Sequence, residues 1–333
     1  MTIIFIQIIL GIIVLGIGAD LIVRGSINLA NIYKVSGYFI GFTIVAFGTS
    51  IPELSATLSA ISYPDINSVS IALGNIIGSN IANILLILGL ISIFVDIEFS
   101  NTTIKKNETV WVLLITFIVV GIFIFLSEMQ ESSPVTIYVG VALLCLLFAY
   151  IVWEYLVEKQ IPSEETENID TYSQIYSYLF LLIGLILLIC GSYYFVLGSK
   201  DLATELKVPE AIIGFTLVAF GTSLPELATG VAAAMRKQTK LAVGTILGSN
   251  VYNIVGIFAV ILLVKGEKFP KSLDLYFGSL IFMAFVTIIF TLKIRRGLKI
   301  GNIHFRPYRL GRKTGIIFVV TYFIYIIYNY ITF

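Results

Sequence analysis

Charge is scarce in this 333-residue chain: Asp, Glu, Lys and Arg together make up 12% of it, against 58% hydrophobic residues. With a mean hydropathy of +0.99, that excludes a soluble globular domain and makes the chain an integral membrane protein. Histidine occurs once, as His304 in a basic polar stretch where it is expected to be solvated, so neither a histidine metal centre nor a histidine general base is available in the membrane. Cysteine occurs twice, as Cys145 and Cys190. Both lie inside apolar runs and are expected to be small buried hydrophobes, not disulfide partners or metal ligands. No basic segment precedes the apolar run from Ile3, so no cleavable signal is expected. Alternating apolar segments of about 10 residues are missing too, which excludes a barrel. A net charge of +1 is uninformative; membrane lipids are expected as surroundings, with no nucleic acid and no obligate protein partner.

What is present is long apolar runs. They fall near 3–30, 38–62, 68–95, 109–127 and 134–157, then near 175–200, 210–235, 240–264, 273–293 and 313–332. The expected fold is all-α, of about ten transmembrane helices, five in 1–158 and five in 175–333. Between them, the polar acidic segment 159–174 is expected to be a cytoplasmic linker.

The two halves repeat one another. Gly41-Phe-Thr-Ile-Val-Ala-Phe-Gly-Thr-Ser-Ile-Pro-Glu53-Leu54 returns as Gly214-Phe-Thr-Leu-Val-Ala-Phe-Gly-Thr-Ser-Leu-Pro-Glu226-Leu227. Gly74-Asn-Ile-Ile-Gly-Ser-Asn-Ile-Ala-Asn83 returns as Gly244-Thr-Ile-Leu-Gly-Ser-Asn-Val-Tyr-Asn253, and the segment from Gly18 to Ser26 returns from Gly191 to Ser199. Matched segments in the same order indicate duplication. An odd number of helices per half makes the copies inverted, with their equivalent residues meeting near the midplane.

Lys and Arg are unevenly shared between the two sides. Lys34, Lys105, Lys106, Lys159, Arg236, Lys237, Lys240 and the basic stretch from Lys293 to Lys313 fall on one side; Lys200, Lys207, Lys265, Lys268 and Lys271 fall on the other. The richer side is expected to be cytoplasmic, which puts both termini outside the plasma membrane. The basic stretch also suits anionic headgroups.

The chemistry is concentrated in the repeated motif. Pro52 and Pro225 lack the N–H that would bond Gly48 and Gly221, so helices 2 and 7 are expected to be discontinuous there. Freed carbonyls at membrane depth are tolerated only where protein or a wet cavity satisfies them. Beside them stand Thr49, Ser50 and Glu53, matched by Thr222, Ser223 and Glu226. On the next helix of each half, Ser79 shares a face with Asn83, and Ser249 with Asn253. Hydroxyls, amide oxygens, carbonyls and two carboxylates make an all-oxygen site suited to a hard cation such as Ca²⁺, not zinc or copper. Close packing accounts for the small residues but not for two symmetric intramembrane glutamates. Asp20 and Arg24 form an expected i, i+4 ion pair whose counterparts are Tyr193 and Leu197, so that pair reads as local structure. Asn80 and Asn250 are turned one residue off the site face, which suggests a supporting or packing place.

Gly-Thr-Ser-x-Pro-Glu in both halves, each followed by Gly-Ser-Asn-x-x-Asn, resembles the alpha-repeats of the sodium/calcium exchanger family within the cation/calcium antiporters, in a prokaryotic form without regulatory domains. The resemblance implies alternating access and Na⁺-driven Ca²⁺ transport, with both ions as cargo and no cofactor. It also implies that Glu53 and Glu226 bind Ca²⁺ together with the backbone oxygens of Thr49 and Thr222. Sodium sites would use the same glutamates, Ser50, Ser79, Ser223, Ser249 and the carbonyls of Ala46 and Ala219, and Asn83 and Asn253 would complete the centre. The potassium-dependent branch carries Asp where this chain has Asn253, so exchange is expected to be independent of K⁺. The three Na⁺ implied by the family would then make it electrogenic. A Ca²⁺/H⁺ antiporter of the same superfamily is the alternative. A channel would not need paired inverted breaks. A hydrolase acting through Ser50 or Ser223 would lack a base, so no enzyme is expected.

Overall fold

The structure is a computed structural model that describes residues 2–62, 68–98, 108–128, 135–158, 172–206, 219–265, 274–295 and 309–332. Among them the helices, numbered in chain order, begin with α1 (Thr2–Tyr33), α2 (Gly37–Ser62) and α3 (Ser68–Ala82, continuing through Asn83–Ile87 to Leu88–Phe94). Then come α4 (Glu108–Glu128), α5 (Val135–Glu158) and α6 (Gln174–Glu205). The last are α7 (Ala219–Thr222 and, past Ser223, Leu224–Met235), α8 (Thr239–Lys265), α9 (Asp274–Arg295) and α10 (Arg312–Thr332). In the described residues six of these stretches (α1, α2, α3, α5, α6 and α8) are long and apolar enough to cross a bilayer; α4, α7 and α9 contain shorter apolar helices. The only strands described are β1 (Ile97–Glu98) and β2 (Arg309–Leu310), a minimal antiparallel pair that ties the chain after α3 to the start of α10.

Packing is driven by small residues, because apolar side chains are as well solvated by lipid as by protein. On α1, Gly11 and Gly18 recur seven apart and let α6 come so close that an added Cβ would lie 2.6 Å from the Phe195 nitrogen or 2.8 Å from the Gly184 oxygen. At the Tyr33 end of α1, Asn28 Nδ2 donates to Ser177 Oγ (2.5 Å) and to the Tyr172 carbonyl (2.7 Å), locking the two helices in register. The core around the repeated motif uses the same device. A Cβ on Gly41 would lie 2.4 Å from the Leu241 oxygen, and one on Gly244 would lie 2.2 Å from the Tyr38 oxygen, so α2 and α8 touch backbone to backbone. Tight turns follow α1 and α7 at Lys34 (φ 54°) and Lys237 (φ 60°), left-handed residues that close the two helix ends with Val35 N–H to Ala30 O and Gln238 N–H to Ala233 O.

Three features correct the sequence reading. Cys145 and Cys190 are exposed on apolar helices, not buried. The Asp20–Arg24 pair forms (2.7 Å), yet it is not merely local, since Arg236 past the end of α7 also donates to Asp20. And α2, α3 and α8 each contain a π-helical stretch, at Gly41–Val45, Asn83–Ile87 and Tyr252–Ile257, that the 3.6-residue pattern did not suggest. Several expectations lie outside the described residues: most of the 159–174 linker, His304, the basic stretch over 296–308, and the opening of the second motif copy over 214–218.

Candidate functional site

In their described residues the two motif copies are built alike around the break. α2 runs helically to Thr49, steps out at Ser50 (φ −83°, ψ 2°) and resumes at Ile51; α7 does the same at Ser223 (φ −88°, ψ 5°), with Pro225 in the first turn that follows. The interruption is therefore one residue wide. It puts Glu53 and Glu226 in the first turn of their second helical halves, where the positive end of the helix dipole favours an anionic group. The carbonyl that Pro225 strands on Gly221 is satisfied from outside, by Ser192 Oγ of α6 at 2.6 Å. In the first half, the residue matching Ser192 is Ala19, which carries no such donor.

Each glutamate accepts from a serine of the other half, and Glu226 also from Ser249 of its own. Ser223 Oγ donates to Glu53 Oε1 at 3.3 Å and lies 3.3 Å from Ser79 Oγ. Reciprocally, Glu226 Oε1 accepts from Ser249 Oγ at 3.0 Å and from Ser50 Oγ at 3.5 Å, with the two serine hydroxyls 2.8 Å apart. Ser50, Ser79, Ser223, Ser249, Glu53 and Glu226 thus form one cluster, each no more than 4% exposed.

Two asparagines, Asn83 on α3 and Asn253 on α8, are buried as well. Asn83 opens one π-helical stretch and Asn253 lies in another. Such bulges interrupt regular helical bonding and recur at functional sites. Asn83 Nδ2 donates to Asn250 Oδ1 at 2.9 Å, and Asn250 Nδ2 donates to the Asn80 carbonyl at 3.4 Å. Asn250 therefore orients the Asn83 amide from behind.

What remains is a set of buried oxygens with no hydrogen-bond partner: Glu53 Oε2, Glu226 Oε2, Asn83 Oδ1 and Asn253 Oδ1. An unpartnered buried carboxylate oxygen costs several kcal/mol (order of magnitude), so the two on the glutamates suit a cation, and the two amide oxygens are further buried neutral acceptors. Among the described residues no cluster of three or more His, Cys, Asp or Glu exists, so any bound cation meets two charges and otherwise neutral oxygen donors. That is hard-cation chemistry.

The remaining candidates stand close by but differ in readiness. Thr49 is fully buried, and its hydroxyl donates to the Ala46 carbonyl at 3.3 Å. That carbonyl also accepts Ser50 N–H at 3.0 Å, so Ala46 O offers itself to an ion only if the Thr49 hydroxyl turns away. Ala219 begins the first segment of α7, and Thr222 Oγ1 reaches Asn75 Oδ1 at 3.5 Å.

Asn75 was missed. Its Nδ2 lies 3.3 Å from both the Glu53 carbonyl and Thr57 Oγ1, so α3 braces the second half of α2 while touching α7. The repeat alignment held a signal: at this position the halves differ, Asn75 against Thr245, and Thr245 bonds back to its own helix at Leu241 O (2.9 Å).

Comparison with known proteins bears on the chemistry of this cluster. The family model described as sodium/calcium exchanger protein matches residues 3–156 and 176–331. The chain is 35% identical over 318 residues to an uncharacterized membrane protein of Methanocaldococcus jannaschii, covering 95% of this chain and 94% of that one. It is 27% identical over 341 residues to the sodium/calcium exchanger MaX1 of Methanosarcina acetivorans, covering 90% and 93%. Among solved structures it is similar to the sodium-calcium exchanger NCX_Mj soaked with Na⁺ and Sr²⁺, at a TM-score of 0.75 and 32% identity, covering 97% of both chains.

Proposed function

The chain belongs to the sodium/calcium exchanger protein family, and from that membership we propose that it exchanges Na⁺ for Ca²⁺ across the plasma membrane by alternating access. The observation that carries the proposal is the pair of unpartnered carboxylate oxygens on Glu53 and Glu226, buried among serines contributed by both halves, with the unpartnered amide oxygens of Asn83 and Asn253 buried as well. In this reading Ca²⁺ takes both carboxylates, the amide oxygens and the backbone oxygens of Thr49 and Thr222. Sodium ions take the carboxylates one at a time with Ser50, Ser79, Ser223, Ser249 and the carbonyls of Ala46 and Ala219. No resident cofactor is required.

The proposed architecture is two inverted five-helix repeats joined through 159–174, with both termini outside. Support comes from the exchange of contacts between halves: Ser223 to Glu53 against Ser50 to Glu226, and Gly41 on Leu241 against Gly244 on Tyr38. The close α1–α6 pair supports a unit that moves against the site-bearing helices. Two carboxylates neutralise one Ca²⁺, whereas three Na⁺ leave one positive charge, so exchange is electrogenic. The amide of Asn253 adds no acid, so K⁺ is not needed.

The test is ⁴⁵Ca²⁺ uptake into proteoliposomes under an outward Na⁺ gradient and, separately, an outward H⁺ gradient. The proposal expects uptake with the first alone. Uptake driven by the H⁺ gradient and indifferent to Na⁺ would replace it with Ca²⁺/H⁺ antiport.

A further inference from the structure

Away from the ion cluster, a crevice of about 690 Å³ separates α1 from the second half of α7. Its α1 wall includes Ile12, Gly16 and Ala19, its α7 wall Leu224, Ala228 and Ala232, and its end is the pair Asp20 and Arg236. Small residues, Gly16 and Ala19 on one wall and Ala228 and Ala232 on the other, leave the space between the helices unfilled. Gly16 shows this most directly: a Cβ there would meet nothing within 4 Å, whereas one on its α1 neighbours Gly11 or Gly18 would strike the α6 backbone at 2.6 or 2.8 Å. Gly16 thus lies off the α1–α6 contact and faces empty space.

The crevice is open to the bilayer, with Ile12 54% and Met235 76% exposed along it. Only its end carries charged side chains, which excludes a hydrated cation along its length. At that end Arg24 and Arg236 both pair with the single carboxylate of Asp20, a cluster of net positive charge whose side chains remain 37–39% exposed. The wall Leu224–Met235 is about 18 Å long at 1.5 Å per residue, close to the roughly 15 Å thickness of one hydrocarbon leaflet.

We propose that this crevice is a lipid site, seating one acyl chain of an anionic phospholipid whose phosphate is held by Arg24 and Arg236. Apolar walls of one leaflet's length fit the chain, and the surplus positive charge at the mouth fits the phosphate, which guanidinium groups bind bidentately. The inference is independent of which ion drives transport.

Native mass spectrometry of the full chain, titrated with phosphatidylglycerol or phosphatidylcholine, tests it. Wild type is expected to retain a single phosphatidylglycerol, about tenfold more tightly than phosphatidylcholine, as a charge-assisted contact implies. Gly16→Leu, whose Cβ would meet nothing within 4 Å and whose side chain occupies the crevice, is expected to abolish retention; Arg236→Gln is expected to erase the headgroup preference. Ala228→Leu fills the same space from the facing wall, so the test survives if Gly16→Leu does not fold. The proposal is overturned if wild type retains no lipid, if it retains both lipids equally, if both filling variants hold lipid as wild type does, or if the crevice is closed by a second copy of the chain in a dimer.

Discussion

Replacing Glu226 by Gln removes one of the cluster's two carboxylates and keeps the side chain's shape. In wild type, Oε1 accepts from Ser249 and Ser50 while Oε2 has no partner, so the free oxygen is the one available to an ion. A divalent cation about 2.4 Å from a carboxylate oxygen is attracted by roughly 14 kcal/mol at an effective dielectric of about 20. Most of this offsets the hydration the ion gives up. If about a third survives as a net gain, the substitution costs over ~4 kcal/mol, or about a thousandfold in affinity. Thermal unfolding in detergent reads the same quantity. Ca²⁺ at about 100 times its wild-type Kd stabilises the wild type by about 2.7 kcal/mol, and a variant bound a thousandfold more weakly by under about 0.1 kcal/mol. Without Ca²⁺ the variant should melt no lower than wild type, because it has lost an unpaired buried charge and not a packing contact. The reasoning fails if Glu226→Gln keeps the Ca²⁺-dependent shift, or if its ⁴⁵Ca²⁺ uptake stays within about threefold of wild type.

Two further outcomes follow from the same geometry. Gly244→Ala should destabilise the chain by about 1–3 kcal/mol or prevent its folding, since the new methyl would lie 2.2 Å from the Tyr38 carbonyl; Gly278→Ala, whose Cβ meets nothing within 4 Å, should melt like wild type. Wild-type exchange should respond to a valinomycin-clamped potential, about 2.3 kcal/mol per charge per 100 mV, and ignore K⁺ at fixed potential; Asn253→Asp should weaken the voltage response or add sensitivity to pH or K⁺.

Much of the candidate site was legible because its chemistry is out of place: a Pro-Glu step inside an apolar run has no packing rationale, and its duplication names the second half. Helix rotation was not legible. In a membrane the lipid-facing surface is as apolar as the core, so hydrophobicity could not say that Cys145 and Cys190 face outward. Close backbone contacts carry that information instead, as at Gly11, Gly18 and Gly184. The π-helical stretches at Asn83 and Asn253 also escaped, since one added residue in a turn leaves no mark on an all-apolar pattern. Asn75 and Arg236 were hidden for another reason: each acts on helices other than its own, and for Asn75 the only mark in the sequence was its mismatch with Thr245.

One cluster, built on Glu53 and Glu226, is expected to hold either Ca²⁺ or Na⁺ and never both. Equilibrium dialysis of the purified chain with ⁴⁵Ca²⁺, repeated at rising Na⁺ with constant ionic strength, measures that directly. The expected result is one Ca²⁺ per chain, displaced completely and cooperatively by Na⁺ but not by K⁺. Bound Ca²⁺ that Na⁺ leaves in place, or that survives in the Glu53→Gln, Glu226→Gln double variant, would contradict it.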